Sequence, residues 1–278
     1  MAMRVWSRIF LRNYDYIKTG DLMNEWIEKS VKMANSPGYL DNLFRVYPLL
    51  INPERELPKE TEEMIIKLVK KKEKKKLIKI LIELEKFPID NPYVGSLRTN
   101  EELIDKNPKI VDMICEQLFS MGANGVIRGC KTPKKSSRQF GAIFQKWVPS
   151  LKHKILEGTE FEKFSGVAFL GGSDATRKNY ANKKLNCNLR EKGLDLLMKI
   201  NGKFVIGQAK FITTGGGAQD NQFYEALRFV NSDRGKATRI AVLDGVIWFS
   251  TGYLEEIKET NRNILSALLL GEFIKSMK

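Results

Sequence analysis

Three side chains in the last third of the chain have the types and the spacing that would build a divalent-cation site. Asp195 lies in an apolar run, an Asn201-Gly202 pair follows, and Gln208 and Lys210 lie in a second β-rich run. Asn-Gly between two such runs predicts a β-hairpin, because a type I′ turn needs positive φ at both central residues. Folding the chain there returns Asp195 alongside Gln208 and Lys210, which share a strand face because they are two residues apart. A carboxylate, an amide oxygen and an ammonium would then converge, which suits a divalent metal with a positioned water.

At these residues the chain resembles the PD-(D/E)xK nuclease superfamily and, within it, the type II restriction endonucleases. The motif of that superfamily is an Asp on one hairpin strand, followed on the next strand by Asp or Glu, any residue, and Lys. Asp195 matches the first position, and Gln208-Ala209-Lys210 matches the second, with Gln in place of the usual acid. The resemblance implies that Asp195, Gln208 and the Ala209 carbonyl bind Mg²⁺, for which Mn²⁺ can substitute. It also implies that Lys210 orients the attacking water and stabilises charge on the phosphate. It covers residues 136–250 and is vague over the N-terminal half.

The composition leaves oxygen atoms as the ligands of such a site. The chain has one histidine, which excludes a His-rich zinc site and disfavours a Ser-His or Cys-His catalytic dyad. Its three cysteines lack Cys-x-x-Cys spacing. Oxygen ligands suit Mg²⁺ or Mn²⁺. Because Gln208 adds no charge, we expect weaker metal binding than an acid at that position would give.

Further acids are candidates to complete the site. In related nucleases a helix before the catalytic sheet often carries a glutamate that reaches the metal. The comparable position here is Gln145, and Glu160 and Glu162 are substitute candidates. Asp174 is another, although its place after Gly-Gly fits a turn or a helix cap better. The alternative for the whole motif is a surface Asp–Lys pair on a hairpin, which contributes little to stability.

The Gly-rich loop that follows the second strand is a predicted DNA contact. Glycines let a backbone approach phosphate closely, and amide side chains can read adenine edges in the major groove. The loop candidates are Thr213, Thr214, Gly216, Gln219, Asn221 and Gln222. A Gly-rich turn with a helix cap at Asp220 or Asn221 explains the loop equally well.

Basic residues indicate a polyanionic partner. The net charge is +14, which favours a duplex phosphate backbone, although a lysine-rich solubilising surface is the alternative. Predicted phosphate contacts near the site are Arg138, Arg177, Lys178, Arg190 and Lys192. Eight lysines and only Glu73 lie between Lys67 and Lys79, where a solvated helix face is favoured over a DNA contact.

The apolar patterns predict an α/β (α+β) fold, in which a mixed β-sheet flanked by helices forms a restriction-endonuclease-like core behind a helical N-terminal region. Predicted elements are a helix at 61–85, helices from 101 and at 105–121, a helix at 139–148, a strand at 166–170, the hairpin, a helix at 219–231, and strands at 238–243 and 246–249. Residues 1–130 are predicted to serve DNA binding, dimerisation or both, and residues 131–278 to form the catalytic domain.

These features together predict a type II restriction endonuclease that cuts double-stranded DNA with Mg²⁺. A homodimer is expected by analogy, because palindromic sites are read by two-fold dimers. A junction-resolving or repair nuclease with the same core is the first alternative, and a catalytically silent DNA-binding protein that has lost its acid at Gln208 is the second. No apolar run reaches membrane-span length and no signal peptide is recognisable, so a cytoplasmic protein without a membrane partner is expected.

Overall fold

Two groups of contacting residues make up the described chain. The computed structural model describes residues 24–48, 54–133, 139–190 and 193–278. Residues 54–133 form a smaller unit, and the other three ranges form a larger one. The sequence predicts one helical region up to residue 130, whereas the contacts group residues 24–48 with the sheet.

Helices account for most of the regular structure. The described α-helices, in chain order, are α1 (Glu25–Ala34), α2 (Tyr39–Val46), α3 (Lys59–Lys71), α4 (Lys74–Glu83), α5 (Val94–Thr99), α6 (Leu103–Lys106), α7 (Pro108–Lys131), α8 (Phe140–Trp147), α9 (Gly158–Lys163), α10 (Asp174–Leu185), α11 (Ala218–Val230), α12 (Thr251–Lys258) and α13 (Leu270–Ser276). None of these helices has both the length and the apolar character needed to cross a membrane.

The larger unit is built on a mixed sheet, as the sequence predicts. Its described strands are β1 (Lys154–Leu156), β2 (Val167–Leu170), β3 (Leu196–Ile200), β4 (Lys203–Ile212), β5 (Ala237–Gly245) and β6 (Asn263–Leu265), and they lie side by side in chain order. Strands β2, β3 and β4 are antiparallel neighbours. Strand β1 is parallel to β2, and β4, β5 and β6 are parallel to one another.

The Asn-Gly hairpin forms as predicted. Asn201 and Gly202 have φ of 46° and 86°, the two positive values that a type I′ turn requires. The pairing of β3 with β4 continues to Leu196 opposite Gly207. Asp195 therefore lies at the open end of the hairpin, next to Gln208 in the pairing register.

Helices cover both faces of the sheet at β4. Phe211 stacks on Phe140 of α8 with 4.3 Å between ring centroids, whereas the neighbouring Lys210 contacts Glu225 of α11. Because successive side chains of a strand point to opposite faces, α8 and α11 cover opposite faces. This double cover explains the apolar runs of β4 and β5, since parallel strands are buried on both sides.

A buried carboxylate on β5 ties residues 24–48 to the sheet. Asp244 Oδ1 accepts hydrogen bonds from Ser266 Oγ at 2.6 Å and from the Tyr39 hydroxyl at 3.4 Å. Its Oδ2 accepts from the Tyr47 hydroxyl at 3.0 Å and from the Ala267 N–H at 3.1 Å. Tyr39 and Tyr47 lie at the two ends of α2, which is why this helix belongs to the sheet's unit.

Strand β5 ends differently from the prediction. It runs through Gly245, and Val246–Phe249 is a 3₁₀ helix rather than a strand. Gly245 has φ of 94°, and a Cβ there would lie 2.0 Å from the Ile212 carbonyl oxygen, so the paired strands approach too closely for a side chain. Strands β1 and β6 were not predicted because three residues are too short for a period-two pattern.

The smaller unit is helical throughout its described residues. The predicted helix at 61–85 is two helices, because Lys72 is left-handed with φ of 54° and ends α3 before α4 begins. This break lets both helices pack against α7. The predicted helix at 105–121 is part of α7, which starts at Pro108 and bends at Gly122.

Four lysines of the basic run are ion-paired inside the smaller unit. The pairs are Lys74–Asp112, Lys75–Asp105, Lys76–Glu73 and Lys79–Glu101, with separations of 2.5–2.7 Å. Nearby acids of the same unit therefore neutralise half of the run, which supports the solvated-face interpretation for these four lysines.

Candidate active site

Hydrogen bonds from two elements hold Asp195 in place. Its N–H donates to the Gly207 carbonyl of β4 at 3.1 Å. Its own carbonyl accepts from the side-chain amide of Gln145 on α8. The predicted helix before the sheet thus reaches the motif through Gln145, although it contacts the backbone of Asp195 rather than a metal position.

The two residues before Asp195 are held by the start of α10. The Leu194 N–H donates to the Asp174 carbonyl at 3.2 Å, and the Leu194 carbonyl accepts from Arg177 Nε at 2.8 Å. At Gly193, a Cβ would lie 2.4 Å from Asp174 Oδ2, so no side chain fits without displacing that carboxylate. The backbone that presents Asp195 is therefore fixed on both sides of the residue.

The carboxylate of Asp195 contacts the middle residue of the Gln-Ala-Lys motif. Its Oδ2 accepts a hydrogen bond from the Ala209 N–H at 2.9 Å. The N–H and carbonyl of one strand residue point to the same side of the strand, so the Ala209 carbonyl also points to the side of Asp195. One carboxylate and one backbone carbonyl are thereby available at the open end of the hairpin.

Gln208 and Lys210 are largely buried on the face that α11 covers. Gln208 is 5% exposed, and its Oε1 is buried without a hydrogen-bond partner among the described residues. Leaving such an oxygen without a partner costs about 1–3 kcal/mol, so a ligand at this position would be stabilising. Lys210 Nζ lies 3.6 Å from Glu225 Oε1 of α11, with the two side chains 14% and 10% exposed.

Burial dominates the electrostatics of Asp195. It raises the pKa of this carboxyl above its usual value, and the nearby charge of Asp174 raises it further. The Ala209 N–H and the charges of Lys210 and Arg177 act in the opposite direction. A bound cation would favour the ionised carboxylate in the same way as these two positive side chains.

A cavity of about 220 Å³ opens beside β4. Its lining includes Gln208 and Glu225, together with the exposed arginines Arg190, Arg228 and Arg234. The motif face of the strand is thus accessible from a basic surface.

Residues 24–277 match the family model described as Tsp45I type II restriction enzyme. The chain belongs to this family. It is a type II restriction endonuclease, that is, a site-specific deoxyribonuclease whose partner is DNA, and the prediction of this class of enzyme is confirmed. Searches of the curated proteins and of the solved structures find no match.

Type II restriction enzymes generally use divalent metal ions. Within the described ranges of this enzyme, no group of three or more His, Cys, Asp or Glu side chains could hold a metal ion. The donors next to Asp195 are instead uncharged, namely the Ala209 carbonyl and the Gln208 amide oxygen, which has no hydrogen-bond partner in the described part of the chain. These oxygens fit a hard cation that keeps several of its waters.

Glu160 and Glu162 do not complete the site. Glu160 is exposed, and Glu162 pairs with Lys184 at 3.0 Å while its carbonyl accepts from Lys199 Nζ at 2.7 Å. Lys199 lies next to the hairpin turn, four residues or about 13 Å along the strand from Asp195. Both glutamates therefore belong to the closed end of the hairpin.

Asp174 has the helix-start role that the sequence favours for it. It is the first residue of α10, directly after the N-cap Ser173, and its Oδ1 accepts from the Ala175 N–H at 2.8 Å. A carboxylate here interacts favourably with the helix dipole. Asp174 is linked to the motif through its charge, which raises the pKa of Asp195, and through its contacts with Gly193 and Leu194.

One of the predicted phosphate contacts is inside the protein. Arg177 is 6% exposed and donates to two carbonyls, those of Leu194 and Gly172, so its guanidinium is not presented to DNA. Arg190 is exposed, and its carbonyl accepts from Lys178 Nζ at 3.3 Å. The remaining candidates, Arg138 and Lys192, lie outside the described residues.

Internal hydrogen bonds shape the Gly-rich loop. Gln219 Oε1 accepts from the Thr213 N–H at 3.1 Å, and Asp220 Oδ1 accepts from the Gly216 N–H at 2.9 Å. The Tyr253 hydroxyl also donates to Asp220. These bonds hold the loop in a turn, so the Gln219 oxygen is already engaged, but the N-cap of α11 is Gly217 rather than Asp220 or Asn221. Among the loop candidates, Thr213, Thr214, Gly216 and Asn221 are exposed and Gln222 is half-buried.

Glu225 is the residue near the motif that the sequence prediction missed. A signal for its burial exists, because Phe229 follows it by one helical turn and both are buried. The pairing with Lys210 has no local signal, since the two residues lie on different elements.

Proposed function

We propose that this enzyme hydrolyses a phosphodiester bond of double-stranded DNA with Mg²⁺ at a site formed by Asp195, Gln208, Ala209 and Lys210. The observation that carries the proposal is the hydrogen bond from the Ala209 N–H to the Asp195 carboxylate. It joins the isolated acid to the middle of the Gln-Ala-Lys motif, as the superfamily motif requires. Mn²⁺ is expected to substitute.

Each member of the site has a distinct part. The Asp195 carboxylate, the Gln208 amide oxygen and the Ala209 carbonyl would hold the cation. When bound, the cation lowers the pKa of the attacking water and stabilises charge on the phosphate oxygens. Lys210 is 14% exposed at its side chain, so its charge is weakly screened and acts strongly on a phosphate at the open end of the hairpin.

The DNA would lie across the basic surface beside the cavity. Arg190 and Lys178 are proposed as phosphate contacts, with Arg138 and Lys192 as further candidates, and such contacts bind any sequence. Asn221 of the loop is exposed and carries a side chain suited to reading a base edge. We further propose a homodimer that acts in the cytoplasm, with the smaller unit serving DNA binding, dimerisation or both.

Cleavage of plasmid DNA by two variants tests the site. Asp195→Asn and Lys210→Ala are expected to slow cleavage by about 10²–10³-fold or more at saturating Mg²⁺, because both act on the transition state. Binding to the same DNA in Ca²⁺ should persist. Exposed residues of the larger unit supply matched controls, Asp233→Asn and Lys32→Ala, which should cleave normally. Cleavage by both active-site variants near the wild-type rate would refute the assignment.

A further inference from the structure

The motif of this enzyme has one carboxylate where the superfamily has two. Gln208 is neutral, and Asp195 and Lys210 alone carry opposite charges that cancel. A second carboxylate nevertheless approaches the motif, because Glu225 of α11 lies 3.6 Å from Lys210 Nζ. With it, the described site again has two acids and one lysine.

We propose that Glu225 is the second carboxylate of the catalytic centre and replaces the charge that Gln208 lacks. The inference rests on the proposed function, since it concerns the same cation and the same lysine. Glu225 would be a ligand of the cation, because it lines the same cavity as Gln208.

The position of Glu225 and Gln208 in one cavity supports the assignment. Glu225 and Gln208 both line the cavity of about 220 Å³ beside β4, so an ion or its waters in that cavity would meet both side chains. Gln208 Oε1 is buried there without a hydrogen-bond partner among the described residues. An amide oxygen and a carboxylate that line the same cavity are oxygen donors of the kind that Mg²⁺ and Mn²⁺ prefer.

The burial of Glu225 and its pairing with Lys210 also support the assignment. Glu225 is 9% exposed, and a carboxylate at that depth is costly unless an opposite charge accompanies it. Lys210 is that charge, and Lys210 also acts on Asp195 by lowering its pKa. The lysine therefore interacts with both carboxylates, one on the hairpin and one on the helix that follows it.

An exchange of the two side chains tests the proposal. The variants are Glu225→Gln, which keeps the shape and removes the charge, and the double variant Gln208→Glu/Glu225→Gln, which moves the charge into the motif. Affinity for Mn²⁺ alone is measured by calorimetry without DNA, and plasmid cleavage is measured separately. Glu225→Gln should weaken Mn²⁺ binding at least tenfold and abolish cleavage, and the double variant should restore both.

A structural ion pair supplies the matched control. Glu62 pairs with Lys131 in the smaller unit, and Glu62→Gln removes a partly buried pair far along the chain from the motif. It should change thermal stability without changing Mn²⁺ affinity or cleavage.

Three outcomes would overturn the proposal. Unchanged Mn²⁺ affinity in Glu225→Gln would assign the pair to stability, and so would failure of both exchange variants to fold. A double variant that folds but binds Mn²⁺ no better than Glu225→Gln would also refute it. In each case, loss of cleavage in Asp195→Asn would show that the proposed function stands without Glu225, whereas wild-type cleavage there would refute the function itself.

Discussion

The buried carboxyl of Asp244 should make the stability of the larger unit fall as pH rises. Asp244 is 0% exposed, and burial raises its pKa to about 7 even though four groups donate hydrogen bonds to it. In the unfolded chain its pKa returns to about 3.9. Between these values the folded state holds a proton that the unfolded state has lost. The contribution of Asp244 is therefore fully present below pH 4 and is lost as pH rises through 7.

The size of the effect follows from the difference in pKa. About three units at 1.36 kcal/mol each correspond to about 4 kcal/mol in all, of which about 3 kcal/mol is lost between pH 4 and pH 7. Asp244→Asn removes the titration. It adds a cost of about 1–3 kcal/mol that does not depend on pH, because an amide N–H₂ cannot accept all four hydrogen bonds.

Urea unfolding monitored by tryptophan fluorescence measures the effect in the correct unit, because all four tryptophans of the sequence lie outside residues 50–136. The stability advantage of the wild type over Asp244→Asn should shrink by about 3 kcal/mol from pH 4.5 to pH 7.5. Asp233→Asn, at an exposed site, serves as the control. An advantage that is constant, or that grows with pH, would show that the hydrogen bonds rather than burial govern this carboxyl.

Two further predictions separate structural residues from DNA contacts. Arg177→Ala should lower the free energy of unfolding by about 3 kcal/mol and leave the salt dependence of DNA binding unchanged. Arg190→Ala should leave the free energy of unfolding unchanged and reduce the slope of log K against log salt concentration by about one. The reverse pattern would contradict both assignments. Asn221→Ala should cost about 1–3 kcal/mol on the cognate duplex and little on a scrambled one, while Gln219→Ala should loosen the loop and weaken both. Equal losses on the two duplexes for Asn221→Ala would exclude base reading by this residue.

The parts of the site that the sequence predicts are those set by local chemistry. Asn201-Gly202 determines the turn, the turn determines the register, and the register returns Asp195 to Gln208. The identity of the sheet, its hairpin and the helix after it follow from patterns a few residues long. That is why residues 167–245 agree with the prediction, apart from the end of β5 and from α10, a helix at Asp174–Leu185 that the sequence pattern does not predict.

The parts that the sequence does not predict depend on distant residues. Gln145 contacts a residue 50 positions away, and Tyr39 contacts one 205 positions away. Neither pattern nor propensity carries information about such pairs. The predicted phosphate contact at Arg177 is wrong for the same reason, since an arginine in a polar segment gives no sign that its partners are buried carbonyls.

The location of the site follows from the end of the β3–β4 ladder. Backbone N–H and carbonyl groups released from strand pairing need other partners when they are buried. Where β3 leaves β4, the Ala209 N–H is released in this way, and the Asp195 carboxylate accepts it. The Ala209 carbonyl points to the same side, and a cation would satisfy it in place of the missing strand. The side chain at position 195 thus has two roles: its oxygen completes the backbone hydrogen bonding, and its charge would hold a cation. Asp195→Asn separates these two roles. The amide still offers an oxygen to the Ala209 N–H, so the variant should keep its fold and its DNA binding while losing cleavage.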